Sequence, residues 1–252
     1  MAKFRVGVQM HTVRDFCQTD KDLIQTLRRI ADIGYDAVEM SPVGCPLEPP
    51  RLKEELDKAG LTLCSMHLSM QHINERTDET FGLLRQFDCR HVAISSHASD
   101  GDGYRSLAAA LSRCADILFD SGAQFSYHNH SWELERFGDE TGLDILIHHC
   151  DEKVNFELDT FWVQAGGGDP AQWIEKVRGR APFLHAKDMT VVDSKTQMAE
   201  VGEGNLNWER IFDACRDVGT EWVIVEQDQC LRDPFESVDT SLRNLRNMGV
   251  AS

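Results

Sequence analysis

Histidine and acidic side chains recur at the ends of short apolar runs along this 252-residue chain. Four of them, at the ends of four successive runs, are His128, Asp159, His185 and Glu226. Two imidazoles and two carboxylates suit Mn²⁺, Zn²⁺, Fe²⁺, Co²⁺ or Mg²⁺, with Mn²⁺ and Zn²⁺ favoured. Without a cation, Asp159 and Glu226 would repel each other in a poorly solvated site. The four residues therefore predict a site for one divalent metal ion, provided that the fold brings them together.

The elements that must position these residues alternate regularly between strand and helix. Short runs rich in β-branched residues predict eight strands, at 4–9, 36–40, 61–67, 91–96, 123–129, 154–159, 182–187 and 221–226. Helical periodicity follows each strand and predicts helices that end at Gly34 and Gly60 and then cover 78–87, 104–120, 140–149, 169–177, 207–217 and 234–247. Eight such units in about 250 residues predict an α/β fold, a single (β/α)8 TIM barrel that forms one domain over residues 1–252.

In a barrel of this kind, the active site forms at the carboxyl ends of the strands. Neighbouring strands lie about 4.8 Å apart, so the ends of strands 5 to 8 can converge on one point near the barrel axis. Further polar residues at or just after strand ends are Gln9, Glu39, His67, His130, Glu133 and Lys187. Packing alone does not readily explain a histidine or a carboxylate at the same end of nearly every strand.

Each of these residues also has a purely structural interpretation. A lone strand-end histidine such as His67 or His130 is often a hydrogen-bonded structural group. Glu39 could pair with a basic residue on a neighbouring strand, and Lys187 could pair with the aspartate that follows it. Trp162 could pack at the rim, although an aromatic ring beside polar strand ends also suits the apolar face of a sugar. The histidines expected at the surface or at helix caps are His11, His72, His91 and His97.

Composition and missing motifs exclude several classes of function. Lys and Arg number 26 against 42 Asp and Glu, and the net charge of −16 argues against sequence-independent binding of nucleic acid. No run approaches the about 18 apolar residues of a membrane helix. Eight cysteines without a C-x-x-C pair, and no export signal, indicate a reduced, cytoplasmic protein. No G-x-G-x-x-G follows the first strand, and neither a Walker motif, H-E-x-x-H nor G-x-S-x-G occurs.

Several short motifs, in their order and strand placement, resemble the xylose isomerase-like TIM-barrel superfamily. These motifs are GVQMHTVRD, GYDAVEM, YHNH, ELDTFWV, HAKD with the later VGEGNLNW, and VEQD. The superfamily includes sugar phosphate isomerases and epimerases, inosose dehydratase-like proteins and AP endonucleases of family 2. The resemblance covers essentially the whole chain.

The resemblance implies one divalent metal ion, held by Glu, Asp, His and Glu from strands 5 to 8. Asp159, His185 and Glu226 match the last three positions. His128 stands where ketose epimerases carry the first Glu, so the pair of glutamates that those enzymes use on opposite faces of the substrate is incomplete here. The candidates for the second acid or base are His128, His130, Glu133 and Glu135.

By this resemblance we expect a metal-dependent isomerase or epimerase that acts on a sugar, a keto-sugar or a sugar phosphate through an enediolate. Glu226 is the expected base, with His67 and Lys187 as further catalytic residues. The expected substrate-binding residues are Gln9, Glu39, His130, Glu133 and Trp162.

Two other functions stay open at this point. A dehydratase or lyase of a keto-sugar or inosose would share the early steps, and a non-catalytic sugar-binding barrel would keep the fold without the base. The net charge of −16 disfavours an AP endonuclease, which needs a basic groove for DNA. The expected partner is a small sugar or cyclitol, and a homo-oligomer is left open because barrels of this size often pair.

Overall fold

Eight parallel strands form a closed barrel in the computed structural model, which describes residues 3–41 and 47–251. The strands are β1 (Arg5–Gln9), β2 (Ala37–Met40), β3 (Thr62–His67), β4 (His91–Ile94), β5 (Gln124–His128), β6 (Val154–Asp159), β7 (Phe183–Ala186) and β8 (Trp222–Val225). Each strand pairs in parallel with the next, and β8 pairs with β1 to close the barrel. The predicted (β/α)8 TIM barrel is confirmed.

Helices flank the barrel and connect its strands. Within the described ranges they are α1 (Asp20–Ile33), α2 (Pro49–Ala59), α3 (Met70–Glu75), α4 (Thr77–Phe87), α5 (Gly101–Asp120), α6 (Gly142–His149), α7 (Thr160–Ala165), α8 (Pro170–Lys176), α9 (Trp208–Val218) and α10 (Pro234–Asn247). None of these helices combines the length and apolar character needed to cross a bilayer.

Helix α1 illustrates how local sequence sets the helix boundaries. The Thr19 side chain accepts a hydrogen bond from the backbone N–H of Asp22 and so caps the first turn. Leu23 and Ile30 are buried on one face of the helix, as the periodicity predicts. The helix ends at Gly34, whose φ of 108° lies in the left-handed region that glycine adopts at low cost.

The sequence pattern does not predict several short elements near the carboxyl ends of the strands. These elements are a 3₁₀ helix at Met10–Phe16, α3, α7, and an antiparallel hairpin of Asp188–Val192 with Lys195–Ala199. Each is too short for a helical or alternating period to show in the sequence. The hairpin begins directly after β7, so the strand predicted over 182–187 is shorter in the structure.

His91 lies inside the barrel at the start of β4 and is only 3% exposed, so its predicted place at the surface is wrong. Its Nδ1 lies 2.9 Å from Ser65 Oγ, and its Nε2 lies 2.7 Å from Ser126 Oγ. The ring stacks on Phe183 with 3.8 Å between centroids. Burial lowers the pKa of His91 to about 3, because a charged imidazolium is poorly solvated there.

We expect the substitution His91→Gln to reduce the loss of stability on acidification. His91 has an ordinary pKa of 6.5 and a lowered pKa in the folded protein, so its contribution to the free energy of unfolding is fully present above pH 6.5 and is lost as pH falls toward about 3. From about pH 7 to about pH 4.5, protonation of this group in the unfolded chain lowers the free energy of unfolding by roughly 2–3 kcal/mol. Urea unfolding of both proteins at the two pH values measures the difference. Equal losses of stability would contradict the assignment.

Candidate metal centre

Four side chains at the carboxyl ends of β5 to β8 converge at one point of the barrel. One ligand atom from each of four residues lies within 4.8 Å of the others, and these residues, here called the outer cluster, are His128, Asp159, His185 and Glu226. All four are buried. Asp159 and His185 are register partners across β6 and β7, which places their side chains side by side. The structure thus brings together the four residues that the sequence predicts as metal ligands.

Lys187 contributes a buried ammonium to the same place. Its Nζ lies 2.9 Å from Asp159 Oδ2 and 2.9 Å from Glu226 Oε2, and it also contacts Asp228. Burial opposes the charged form, but the three carboxylates outweigh it and raise the pKa of Lys187. The alternative that Lys187 pairs with Asp188 is wrong, because the Asp188 carboxylate accepts hydrogen bonds from another part of the chain.

The outer cluster and its neighbours carry more negative than positive charge. With both imidazoles neutral, as ligation requires, Asp159, Glu226 and Asp228 outweigh Lys187 and leave a net charge of −2. In the ion-free protein a proton supplies part of the missing charge. Although burial opposes it, Glu157, Glu39 and Glu226 raise the pKa of His185 well above its ordinary value.

The donor set fits a divalent ion. The Nδ1 atom of His128 is buried with no hydrogen-bond partner in the described part of the chain. Burial lowers the pKa of His128 well below its ordinary value and so keeps the imidazole neutral, which is the form that binds a metal. Two imidazoles and two carboxylates form a common environment for Zn²⁺ and its neighbours in the first transition row.

A second polar set, here called the inner cluster, shares His185 with the outer cluster. Its members are Glu39, His67, Glu157 and His185, again with ligand atoms within 4.8 Å of one another. Glu157 precedes Asp159 by two residues on β6, so it points to the same interior face one layer deeper. His67 Nε2 lies 3.0 Å from Glu39 Oε1 and 3.2 Å from Glu157 Oε2.

The inner cluster largely compensates its own charge. Burial, followed by the neighbouring Glu39, raises the pKa of Glu157 to about 7. Burial lowers the pKa of His67, but Glu39 and Glu157 outweigh it and raise that pKa to about 10. A protonated His67 therefore balances an ionised Glu39, while Glu157, whose pKa is about 7, is only partly ionised at neutral pH.

The structure places the predicted substrate-binding residues in three different settings. Gln9 and Glu39 are almost fully buried and hydrogen-bond to each other at 2.6 Å in the inner cluster. Glu133 is buried, is not a member of either cluster, and its carboxylate accepts hydrogen bonds from Tyr127 Oη and the backbone N–H of His130. Their role in substrate binding stays a prediction.

Aromatic rings form the third setting, beside the outer cluster. His130 stacks on Trp132 with 4.1 Å between ring centroids and lies 5.5 Å from the ring of Trp162. The Nζ of Lys187 lies 5.6 Å from the centroid of Trp162, which places these rings next to the outer cluster. Trp132 is 38% exposed, so part of its ring system reaches solvent.

Two residues that contact the predicted set have no role in the sequence-based prediction. Glu157 lies two positions before Asp159 on β6, and Asp228 lies two positions after Glu226, just beyond the end of β8. The alternation of side chains along a strand is the signal that identifies them, because residues i and i+2 face the same side.

Asp188 organises the segment that follows β7. Its carboxylate accepts hydrogen bonds from five donors, which are the backbone N–H groups of Met189, Gly202, Gly204 and Leu206 and the Nε1–H of Trp208. Asp188 is fully buried. One carboxylate thus joins the HAKD and VGEGNLNW motifs directly beside the outer cluster.

Comparison with known proteins finds related folds. A family model described as xylose isomerase-like TIM barrel matches residues 27–248. Among curated proteins, the inosose dehydratase of Geobacillus kaustophilus (strain HTA426) is 23% identical, over an alignment that covers 84% of this chain and 82% of that protein. A sugar phosphate isomerase/epimerase from Parabacteroides distasonis ATCC 8503 is 23% identical with a TM-score of 0.82, over 100% of this chain and 96% of that one.

A second solved structure of similar fold is that of an IOLI protein with a bound zinc atom. It is 14% identical to this chain, with a TM-score of 0.71, and the match covers 96% of this chain and 97% of that one. At such identities the solved structures establish a common fold.

We expect Asp188→Asn to lower the free energy of unfolding by about 2–4 kcal/mol, because an amide N–H₂ would face N–H donors that now meet a carboxylate. Urea unfolding followed by circular dichroism measures the loss. Asp193→Asn is the matched control, since Asp193 is exposed in the turn of the neighbouring hairpin and its φ of 49° is one that Asn also tolerates. Equal stability of the two variants would contradict the anchoring role of Asp188.

Proposed function

Since the chain belongs to the xylose isomerase-like TIM barrel family, we propose that it is a divalent-metal-dependent isomerase or epimerase of a sugar, a keto-sugar or a sugar phosphate. The observation that carries this proposal is the buried outer cluster, whose two imidazoles and two carboxylates share a net charge of −2 with Lys187 and Asp228. The similar sugar phosphate isomerase/epimerase supports the substrate class.

One ion is held by the outer cluster in this proposal, with Mn²⁺ or Zn²⁺ as the metal. The zinc atom of the similar IOLI protein supports this choice. When bound, such an ion supplies Lewis-acid stabilisation of the negative charge that develops on a substrate oxygen. Lys187 stays protonated beside it and places a second positive charge at the same oxygen-rich site.

Glu226 is the base in this proposal. The side chain of Glu226 is 7% exposed, whereas those of Asp159 and His185 are fully buried. Of these three side chains, Glu226 is therefore the one that a substrate can reach most easily. His185 and Lys187 each lie 2.9 Å from its Oε2, which leaves Oε1 for proton transfer. Burial raises the pKa of Glu226, but Lys187 and His185 outweigh burial and hold the group ionised.

The rings beside the outer cluster support a sugar or cyclitol as substrate. The faces of Trp132 and Trp162 match the apolar face of a sugar ring, and the nearby polar groups match its hydroxyls. Burial lowers the pKa of His130 to about 4, so its neutral ring can both donate and accept a hydrogen bond. His130 and Lys187 would therefore bind substrate oxygens, and His67 would relay protons from the inner cluster.

A dehydratase of a keto-sugar or inosose is the second candidate, and the residue at position 128 favours it. His128 leaves Glu226 as the only glutamate of the outer cluster. One base suffices to remove a proton beside a carbonyl when a neighbouring hydroxyl then leaves. The similarity to an inosose dehydratase supports this alternative.

We expect the purified protein, loaded with Mn²⁺ or Zn²⁺ and freed of excess metal, to retain about one ion per chain by mass spectrometry of the metal. Asp159→Asn should weaken metal binding at least about 100-fold, because it removes a charged ligand from a buried site. Asp116→Asn is the matched control, since Asp116 is an exposed carboxylate that pairs with Lys153. A wild-type protein that binds no ion would overturn the proposed function.

We expect Glu226→Gln to slow exchange of substrate protons with D₂O by about 100- to 10,000-fold, because the amide cannot accept the proton. NMR on a panel of keto-sugars and inososes follows the exchange, and the metal content of the variant is measured alongside to separate loss of the base from loss of the ion. The products distinguish epimerisation from dehydration. Sugar binding by the metal-loaded wild type without any exchange would instead identify a non-catalytic barrel.

A further inference from the structure

His185 connects the two clusters through opposite sides of its ring. Its Nδ1 lies 2.9 Å from Glu226 Oε2 in the outer cluster, and its Nε2 lies 2.7 Å from Glu39 Oε1 in the inner cluster. The side chain is fully buried. A neutral imidazole has one N–H and one lone pair, so the nitrogen that carries the proton decides which nitrogen is left to bind a metal.

Glu39 is built to hold the proton on Nε2. An ionised carboxylate only accepts hydrogen bonds, so in the ion-free protein both ring nitrogens of His185 are donors, Nε2 to Glu39 and Nδ1 to Glu226. An ion at the outer cluster would displace the proton of Nδ1, whereas Nε2 would keep its proton in the hydrogen bond to Glu39. Two further donors hold Glu39 Oε1 in place, Gln9 Nε2 at 2.6 Å and His67 Nε2 at 3.0 Å. Its carboxylate therefore reaches from β2 to partners on β1, β3 and β7, and its side chain has no exposed surface.

An irregularity in the sheet accompanies this placement of Glu39. The register between β2 and β3 shifts between Val38 and Glu39, so that Val38 pairs with Leu63 and Glu39 pairs with Ser65. The extra residue on β3 is Cys64. Bulges of this kind change the direction of neighbouring side chains and occur often beside active sites.

The inner cluster is better suited to supporting His185 than to holding an ion of its own. With the lone pair of His185 turned to the outer cluster, only Glu39, His67 and Glu157 remain. His67 Nε2 already lies between the two carboxylates, at 3.0 Å and 3.2 Å. The positive group of His67 therefore occupies the position that a second metal ion would need.

We propose that Glu39 is a positioning residue that fixes the ring and the tautomer of His185, so that Nδ1 presents its lone pair to the ion of the outer cluster. This inference rests on the metal-dependent function proposed above. Carboxylates hydrogen-bonded behind a metal-binding histidine orient the ring and raise its basicity, and their loss typically costs about 10- to 100-fold in metal affinity. In this proposal Glu39 acts through His185, in place of the direct contact with substrate that the sequence predicts.

Paired variants test the proposal by metal affinity. Glu39→Gln keeps the shape of the side chain and removes its charge, and we expect it to weaken Zn²⁺ binding about 10- to 100-fold in competition with a chromophoric chelator. Glu157→Gln is the matched control, because Glu157 is equally buried in the same cluster but lies 3.5 Å from His185 Nε2. We expect its Zn²⁺ affinity to stay within about threefold of wild type, since the hydrogen bond to His185 is intact.

A measurement on the wild type keeps the test independent of how well the variants fold. With ¹⁵N-labelled histidine and bound Zn²⁺, long-range ¹H–¹⁵N NMR should show His185 protonated at Nε2 and metal-bound at Nδ1. A proton on Nδ1, or equal Zn²⁺ affinities of Glu39→Gln and Glu157→Gln, would overturn the role of Glu39 while the metal site stands. A wild type that binds no Zn²⁺ or Mn²⁺ would overturn both proposals.

Discussion

An excess of buried carboxylates over buried cations governs the electrostatics at the carboxyl ends of β5 to β8. The buried carboxylates of Asp159 and Glu226 and the partly exposed carboxylate of Asp228 surround the ammonium of Lys187, so two negative charges lack compensation when the imidazoles are neutral. Removing an unpaired charge from water costs several kcal/mol, whichever residue carries it. The chain offsets part of this cost with a proton on His185, and a divalent cation would remove the rest.

The two clusters differ in how they meet this constraint. The inner cluster balances itself, because His67 lies between Glu39 and Glu157 and is held in its charged form. The outer cluster keeps its deficit of positive charge. Because of this difference, the proposed function needs only one ion, at the outer cluster, with the inner cluster as hydrogen-bonded support. His185 belongs to both clusters and is hydrogen-bonded to a carboxylate of each, Glu226 in the outer cluster and Glu39 in the inner cluster.

The surroundings of the outer cluster determine which chemistry it can support. Asp188 anchors the segment after β7, and Glu133 anchors the backbone at His130, so both segments beside the outer cluster are held by buried carboxylates. Folds of this type serve many reactions, and the site rather than the barrel decides among them. In the proposed function, His128, which the sequence resemblance places at the position of a second glutamate, is the residue that distinguishes the two candidate reactions.

The sequence alone predicted the barrel, because the alternation of strands and helices along the chain is a local pattern. It also predicted the four members of the outer cluster, because the strands of such a barrel follow chain order and their carboxyl ends meet at one end of the barrel. It could not predict the short elements after the strands, such as α7, whose few residues show no period. Nor could it reveal that Glu39 reaches across the barrel to His185, or that Lys187 pairs with Asp228 instead of Asp188. Those contacts join residues far apart in the chain, and only the register and curvature of the closed barrel decide which side chains meet.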